Sequence, residues 1–263
     1  GAMFDKKEAG DGALTSFQSV CTALAGTVGT GNIAGVAGAI ALGGPGAVFW
    51  MWLSALLGMC TKFAEVTLAV HFRERNDHGD WVGGPMYYIK NGLSKKWSWL
   101  AILYSTFGVL TVFGTGNATQ VNTITTAIDS ALTSTGAFKH GLPSGVNLGI
   151  GIAITLLVLV ILIGGIKRIG RVAEKLVPFM ALYYIIFGLL VVILNYKNVP
   201  GVFRDIFEGA FAPRAITGGV VGSMFIAMRR GVSRGIFSNE AGLGTGSVSY
   251  THLRAHETGR NLV

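Results

Sequence analysis

The nineteen residues from Leu176 to Leu194 carry no charge and are leucine, isoleucine, valine and aromatic residues with little interruption. At about 1.5 Å of rise per residue such a helix reaches about 28 Å, close to the hydrocarbon thickness of a bilayer. Val146 to Ile166 forms a second uncharged run of similar length. Hydrocarbon offers no partner for backbone N–H and C=O groups, so only helices and closed barrels cross it, and runs of this length select helices. The chain is therefore read as an all-α integral membrane protein, and every other feature has to fit that solvent.

Composition agrees, with 51% hydrophobic and 13% charged residues and a mean hydropathy of +0.54. The net charge of +8 does not indicate nucleic acid, because the cations sit in short clusters between apolar runs, as in an inner-membrane protein. Cys21 and Cys60 lie in apolar segments without metal-ligand spacing and read as packing residues. Six crossings are expected: Ser16–Leu42, Pro45–Phe72, Trp97–Leu132, Val146–Ile166, Leu176–Asn195 and one from near Arg214. The polar stretch from Arg73 to Lys96, with GGPMYYI, is too short to span and reads as interfacial or re-entrant. With a cytoplasmic N-terminus, eleven Lys and Arg fall inside and four (Lys139, Lys197, Arg204, Arg214) fall outside. That asymmetry puts residues 1–15 and the loops after the second and fourth crossings in the cytoplasm. No cleavable signal is visible in residues 1–15, position 1 is not methionine, and the polar residues 249–263 read as an unrelated-looking tail.

Inside this frame, GTVGTGNIAG at residues 26–35 is anomalous, with four glycines among polar residues. Glycine costs a helix about 1 kcal/mol relative to alanine. One reading is a discontinuous helix, whose half-helix ends offer carbonyls to a cation and N–H groups to a carboxylate. The other is close helix packing, since Gly31 and Gly35 form GxxxG. Asn32-Ile33-Ala34-Gly35 is echoed by Asn239-Glu240-Ala241-Gly242, each after a glycine-rich approach. The copies lie five crossings apart and so enter the membrane from opposite sides, the mark of an inverted repeat whose paired broken helices form a binding site. Asn117, Gln120 and Thr123 share one face of the third segment, and Asn117 follows Gly114 and Gly116. Such a row either bonds neighbouring helices or, as uncharged donors and acceptors, suits a zwitterionic or neutral substrate.

Charges inside a membrane are costly. Lys62 and Glu65, three residues apart, are expected to pair along the second helix. Arg229, Arg230 and Arg234 approach the second break, and a gating or fold-stabilising ion pair is expected between Arg234 and either Glu65 or Glu240. His71, His78, His140, His252 and His256 fall at segment ends or in loops. No intramembrane His/Asp or Cys/His set supports an enzyme, and no ring of acids supports a channel. A soluble nucleotide-binding loop at residues 26–35 would need an α/β unit, which the apolar spans preclude.

The stretches GTVGTGNIAGVAGAIALGGPGAVFWMW, GMCTKFAEVTLAVHFR, GGPMYYI, GTGNATQVN and RGIFSNEAGLGTG together resemble the alanine or glycine:cation symporter family of prokaryotic amino-acid carriers. The resemblance runs from about Phe4 to Ser247. It implies a leucine-transporter-like fold of two five-helix inverted repeats, with helices 1 and 6 discontinuous. The expected organisation is residues 1–15 as a cytoplasmic segment, 16–195 as the first repeat, and 196–248 as an outer loop plus the first helix of the second repeat. The resemblance further implies substrate contacts from Thr30, Gly31, Asn32, Gln120 and Phe237. Gly26, Gly29, Asn117 and Asn239 are expected at or next to a cation. Sodium-coupled uptake of small neutral amino acids across the plasma membrane is the implied activity, with no other cofactor; proton coupling and a channel are the alternatives. Because the family continues beyond SNEAGLG, the 263 residues are expected to be a truncated fragment that does not transport alone.

Overall fold

A computed structural model describes residues 16–77, 79, 81–111, 117–136, 143–211 and 220–251. The N-terminal segment 1–15, Gly114, Gly116, the start of the sixth segment near Arg214 and residues 252–263 lie outside the described residues.

The first apolar segment is two helices. α1 spans Ser16–Thr27 and α2 spans Gly31–Gly43, so the discontinuity expected from the glycines is present. Gly44 and Pro45 turn the chain into α3, Gly46–His71, with Pro45 at a helical φ of −59° where its missing N–H costs nothing. After α3 come a two-residue strand β1 (Glu74–Arg75) and its antiparallel partner β2 (Trp81–Val82), with Glu74 opposite Val82 and Arg75 opposite Trp81. This ribbon departs from the all-α expectation: it holds the polar stretch as a hairpin, and the guanidiniums of Arg73 and Arg75 lie 4.3 and 4.9 Å from the Trp81 ring centre. α4 (Pro85–Gly92), α5 (Ser98–Thr111), α6 (Asn117–Ser134), α7 (Ser144–Ile163), α8 (Gly165–Leu194), α9 (Val199–Phe211), α10 (Val220–Asn239) and α11 (Thr245–Tyr250) follow. α11 runs two residues into the stretch expected as a tail, and Thr251 behind it is buried, with Arg73 donating to its carbonyl at 2.9 Å.

Among the described residues, four stretches are long and apolar enough to cross a membrane: Val20–Gly43, Gly46–His71, Gly145–Ile163 and Arg168–Leu194. The third and sixth expected crossings are not among them. α5 has only 14 residues, α6 carries many polar ones, and α10 carries three arginines. α7 and α8 present their apolar side chains outward, with Ile163 75% and Leu194 72% exposed, as helices solvated by lipid do.

Small residues set the helix packing. Gly231 and Gly235, four residues apart on α10, lie against α3: a Cβ on Gly231 would sit 2.6 Å from Trp50 Cβ, and one on Gly235 2.8 Å from Ser54. Farther along, Gly58 faces Ala241. Residue numbers rise together on both helices, so α3 and α10 run parallel, as small-xxx-small contacts in membranes allow. α2 meets α10 in the opposite sense, with Gly43 against Ala227 and Arg230 and Gly31 against Arg234. α1 packs on α8 through Cys21, Ala173, Val177 and Phe17, and Gln18 donates to Glu174 at 2.9 Å.

Outside the membrane helices, Lys90 on α4 pairs with Glu74 at 3.0 Å, both side chains substantially exposed. Hydrogen bonds from Lys90 and then Asn91 hold the Glu74 carboxyl below its ordinary value of 4.5. A lowered folded pKa means stabilisation that is full above the unfolded value and disappears as pH falls through the folded one. Stability measured from about pH 6 down to about pH 3 is expected to lose less than about 1 kcal/mol from this exposed pair, and Lys90→Met to remove that part of the pH dependence.

Candidate functional site

The ladder of α1 ends with Val28 N–H donating to Leu24 at 2.7 Å, and the next turn starts with Asn32 N–H donating to Gly29 at 3.0 Å and Ala34 N–H to Thr30 at 2.9 Å. The Asn32 side chain closes the interruption: its Nδ2 donates to the Thr27 carbonyl at 3.0 Å. Its Oδ1 accepts from Ser238 Oγ on α10 at 2.8 Å, so one amide joins the first break to the helix that leads into the second. Arg234 donates to the Gly31 carbonyl, and its guanidinium covers Gly31 and Gly35; a Cβ on Gly31 would lie 2.6 Å from Arg234 Nη2. The helix is discontinuous here, and the GxxxG spacing admits a cationic side chain from α10 rather than a close approach of helix backbones. Phe237 lies 5.2 Å from the Arg234 guanidinium.

Gln120 reaches the same place from α6, its amide 3.4 Å from where a Gly29 Cβ would stand. Thr30 Oγ1 is buried, without a hydrogen-bond partner among the described residues. Thr30, Gly31, Asn32, Gln120 and Arg234 thus meet at one turn of irregular chain, with Phe237 beside the Arg234 guanidinium. Gly26 has open space around its Cα, Asn117 begins α6, and half-buried Asn239 ends α10.

The second break lies between α10 and α11. Glu240 has φ +50°, and Gly242 and Gly244 have φ +90° and +74°, backbone that only glycine adopts freely. Side chains from other helices hold it. Lys62 Nζ donates to the Glu240 carbonyl at 3.3 Å, Tyr104 OH donates to the Leu243 carbonyl at 2.8 Å, and Gly244 N–H donates to Glu65 Oε1 at 3.2 Å. Lys62 and Glu65 therefore serve the break and do not pair with each other: among the described residues the ion pairs are Lys90–Glu74 and Arg204–Glu208. The physical reason is that unsatisfied backbone groups cost most where water is absent, and these two side chains are within reach of them. Arg234 is likewise directed to Gly31 in this conformation, at the other break from Glu240. Sequence reading missed Tyr104 and Ser238. Nothing in the pattern around Tyr104 marks it, whereas Ser238 adjoins the echoed Asn239.

Glu65 is only 8% exposed, so its replacement is informative. Glu65→Leu leaves the Gly244 N–H unsatisfied and is expected to cost about 1–3 kcal/mol. Glu65→Gln keeps an acceptor and is expected to lose less than half of that; thermal unfolding in mild detergent reads both.

A family model described as the sodium:alanine symporter family matches residues 1–259. The chain belongs to the sodium:alanine symporter family. It is 46% identical over 259 residues to a protein of Haemophilus influenzae named an uncharacterized transporter, covering 98% of this chain and 54% of that one. It is 40% identical over 263 residues to the sodium/alanine symporter AgcS of Methanococcus maripaludis, covering 97% and 54%. It is 41% identical over 240 residues to the amino-acid carrier protein AlsT of Bacillus subtilis, covering 91% and 48%. The chain spans about half the length of these curated relatives. The family is one of symporters, not of enzymes.

Proposed function

We propose that the chain belongs to a secondary active transporter that carries small neutral amino acids, alanine or glycine, together with sodium across the prokaryotic plasma membrane. Family membership supports the class, and one observation supports the site: the amide of Asn32 bonds to the first break and to α10, beside a buried Thr30 hydroxyl that has no partner among the described residues. The substrate carboxylate sits at the N-terminal end of α2, near Asn32, where the positive end of the helix dipole favours an anion. Thr30 and Gln120 supply hydrogen bonds to it, and Phe237 covers the side facing α10. Sodium, as co-substrate, takes oxygens near Gly26, Gly29, Asn117 and Asn239, through backbone carbonyls and amide side chains.

The architecture we propose is the leucine-transporter type, with residues 16–195 as a first five-helix repeat and 196–248 as an outer loop with the first helix of an inverted second repeat. The antiparallel meeting of α2 and α10 supports that assignment. The N-terminus is cytoplasmic. Rocking of the broken pair against the surrounding helices gives alternating access, with Arg234 changing partners between Gly31 and the carboxylates of Glu65 or Glu240.

Labelled alanine uptake into proteoliposomes holding the full-length carrier tests the proposal. Accumulation driven by an inward sodium gradient is expected. Uptake indifferent to sodium and driven by a proton gradient would replace sodium by proton coupling, and flux that never exceeds equilibrium would make the protein a channel.

A further inference from the structure

α8 has 30 residues, about 45 Å of helix against about 30 Å of hydrocarbon. Its surplus is at the N-terminal end, because no charge occurs between Lys175 and Lys197. That end has two faces. Gly170, Ala173 and Val177 are buried, the last two against Cys21 of α1, and Glu174 accepts from Gln18 on α1. The other face is open. Arg168, Arg171 and Lys175, with Val172, Leu176 and Phe179, all on α8, line one side of an open groove of about 860 Å³.

These residues recur at three- and four-residue intervals and form one stripe along the helix. The cations come first and the apolar side chains continue toward the uncharged run, with Leu176 59% and Phe179 68% exposed. All the ionisable groups lining the groove are cationic, and the acid nearest in sequence, Glu174, is engaged at α1. We infer that this groove holds an anionic phospholipid of the cytoplasmic leaflet, its phosphate among Arg168, Arg171 and Lys175 and its acyl chains along Leu176 and Phe179. The leaflet rests on the orientation proposed above. A soluble anion satisfies the cations and leaves the adjoining apolar stripe without a partner; a phospholipid satisfies both. Juxtamembrane cations attract anionic headgroups in this manner, each contributing about a factor of five in binding.

Native mass spectrometry of the full-length carrier, exchanged into phosphatidylglycerol or phosphatidylcholine with the same acyl chains, tests the site. Wild type is expected to retain phosphatidylglycerol preferentially. The triple variant R168Q/R171Q/K175Q is expected to lose that preference by roughly tenfold to a hundredfold, while R168K/R171K keeps most of it and shows that charge, not folding, is responsible. Retention unchanged in the triple variant overturns the proposal, and displacement of the lipid by millimolar inorganic phosphate overturns it in favour of a soluble-anion site. The orientation is decided separately, with Lys175→Cys and a membrane-impermeant maleimide. Labelling only in inverted vesicles supports the cytoplasmic leaflet. Labelling of intact cells refutes the orientation and the leaflet, whatever lipid is retained.

Discussion

Gly231→Leu in the full-length carrier is expected to reduce the folded, monodisperse fraction in mild detergent severalfold, more than any single polar substitution at the breaks. A Cβ there meets the carbonyl oxygen of Ala47 and lies 2.6 Å from Trp50 Cβ. Neither neighbour is the far end of a flexible side chain, so α3 and α10 have to separate. Overpacking ordinarily costs about 1–3 kcal/mol and more where backbone has to move. The separation also pulls Ser238 from Asn32 and Arg234 from Gly31, because those side chains leave α10 on neighbouring turns. Gly38→Ala is the matched control: a Cβ there meets nothing within 4 Å, and alanine in a helix is worth about 0.5–1 kcal/mol over glycine. Thermal melts are expected to show Gly231→Leu well below wild type and Gly38→Ala at or above it. Equal melts for Gly231→Leu and wild type would refute the parallel packing of α3 on α10.

What the sequence disclosed and what it withheld follow from two kinds of constraint. The apolar runs of α7 and α8 were legible because lipid demands an unbroken apolar surface, and the first break was legible because clustered glycines and polar residues have few other uses at that depth. The echo at Asn239-Glu240-Ala241-Gly242 located the second break to within a residue of Glu240. The partners of the breaks were much less visible. Lys62 and Glu65 look like an i, i+3 pair along one helix, and only the fold shows that the Glu240 carbonyl and Gly244 N–H come within their reach from far along the chain. Tyr104 is an ordinary aromatic in an apolar run until Leu243 is brought to its hydroxyl. The hairpin at 74–75 and 81–82 was hidden for a local reason, since two residues per strand are too few to show alternation.

Under the proposed function, Asn32→Ala is expected to lower sodium-driven alanine uptake by the full-length carrier more than tenfold while leaving it able to fold. The side chain makes two bonds with separate consequences: Nδ2 to the Thr27 carbonyl shapes the first break, and Oδ1 from Ser238 ties α10 to it. Removing both leaves a carbonyl and a hydroxyl unsatisfied in a poorly hydrated place, at about 1–3 kcal/mol. That is enough to redistribute the turn among conformations without unfolding helices held by glycine packing. Asn32→Asp retains the acceptor for Ser238 but loses the donor to Thr27 and introduces an intramembrane charge, so its uptake is expected near that of alanine. Ser238→Ala removes only the tie and is expected to cost a few-fold. Because Asn32 and Ser238 share one bond, their effects are not additive: the double alanine variant is expected to transport no worse than Asn32→Ala alone. Additive losses would mean that Ser238 acts elsewhere, and the proposed rocking of the two breaks would then need a different connection.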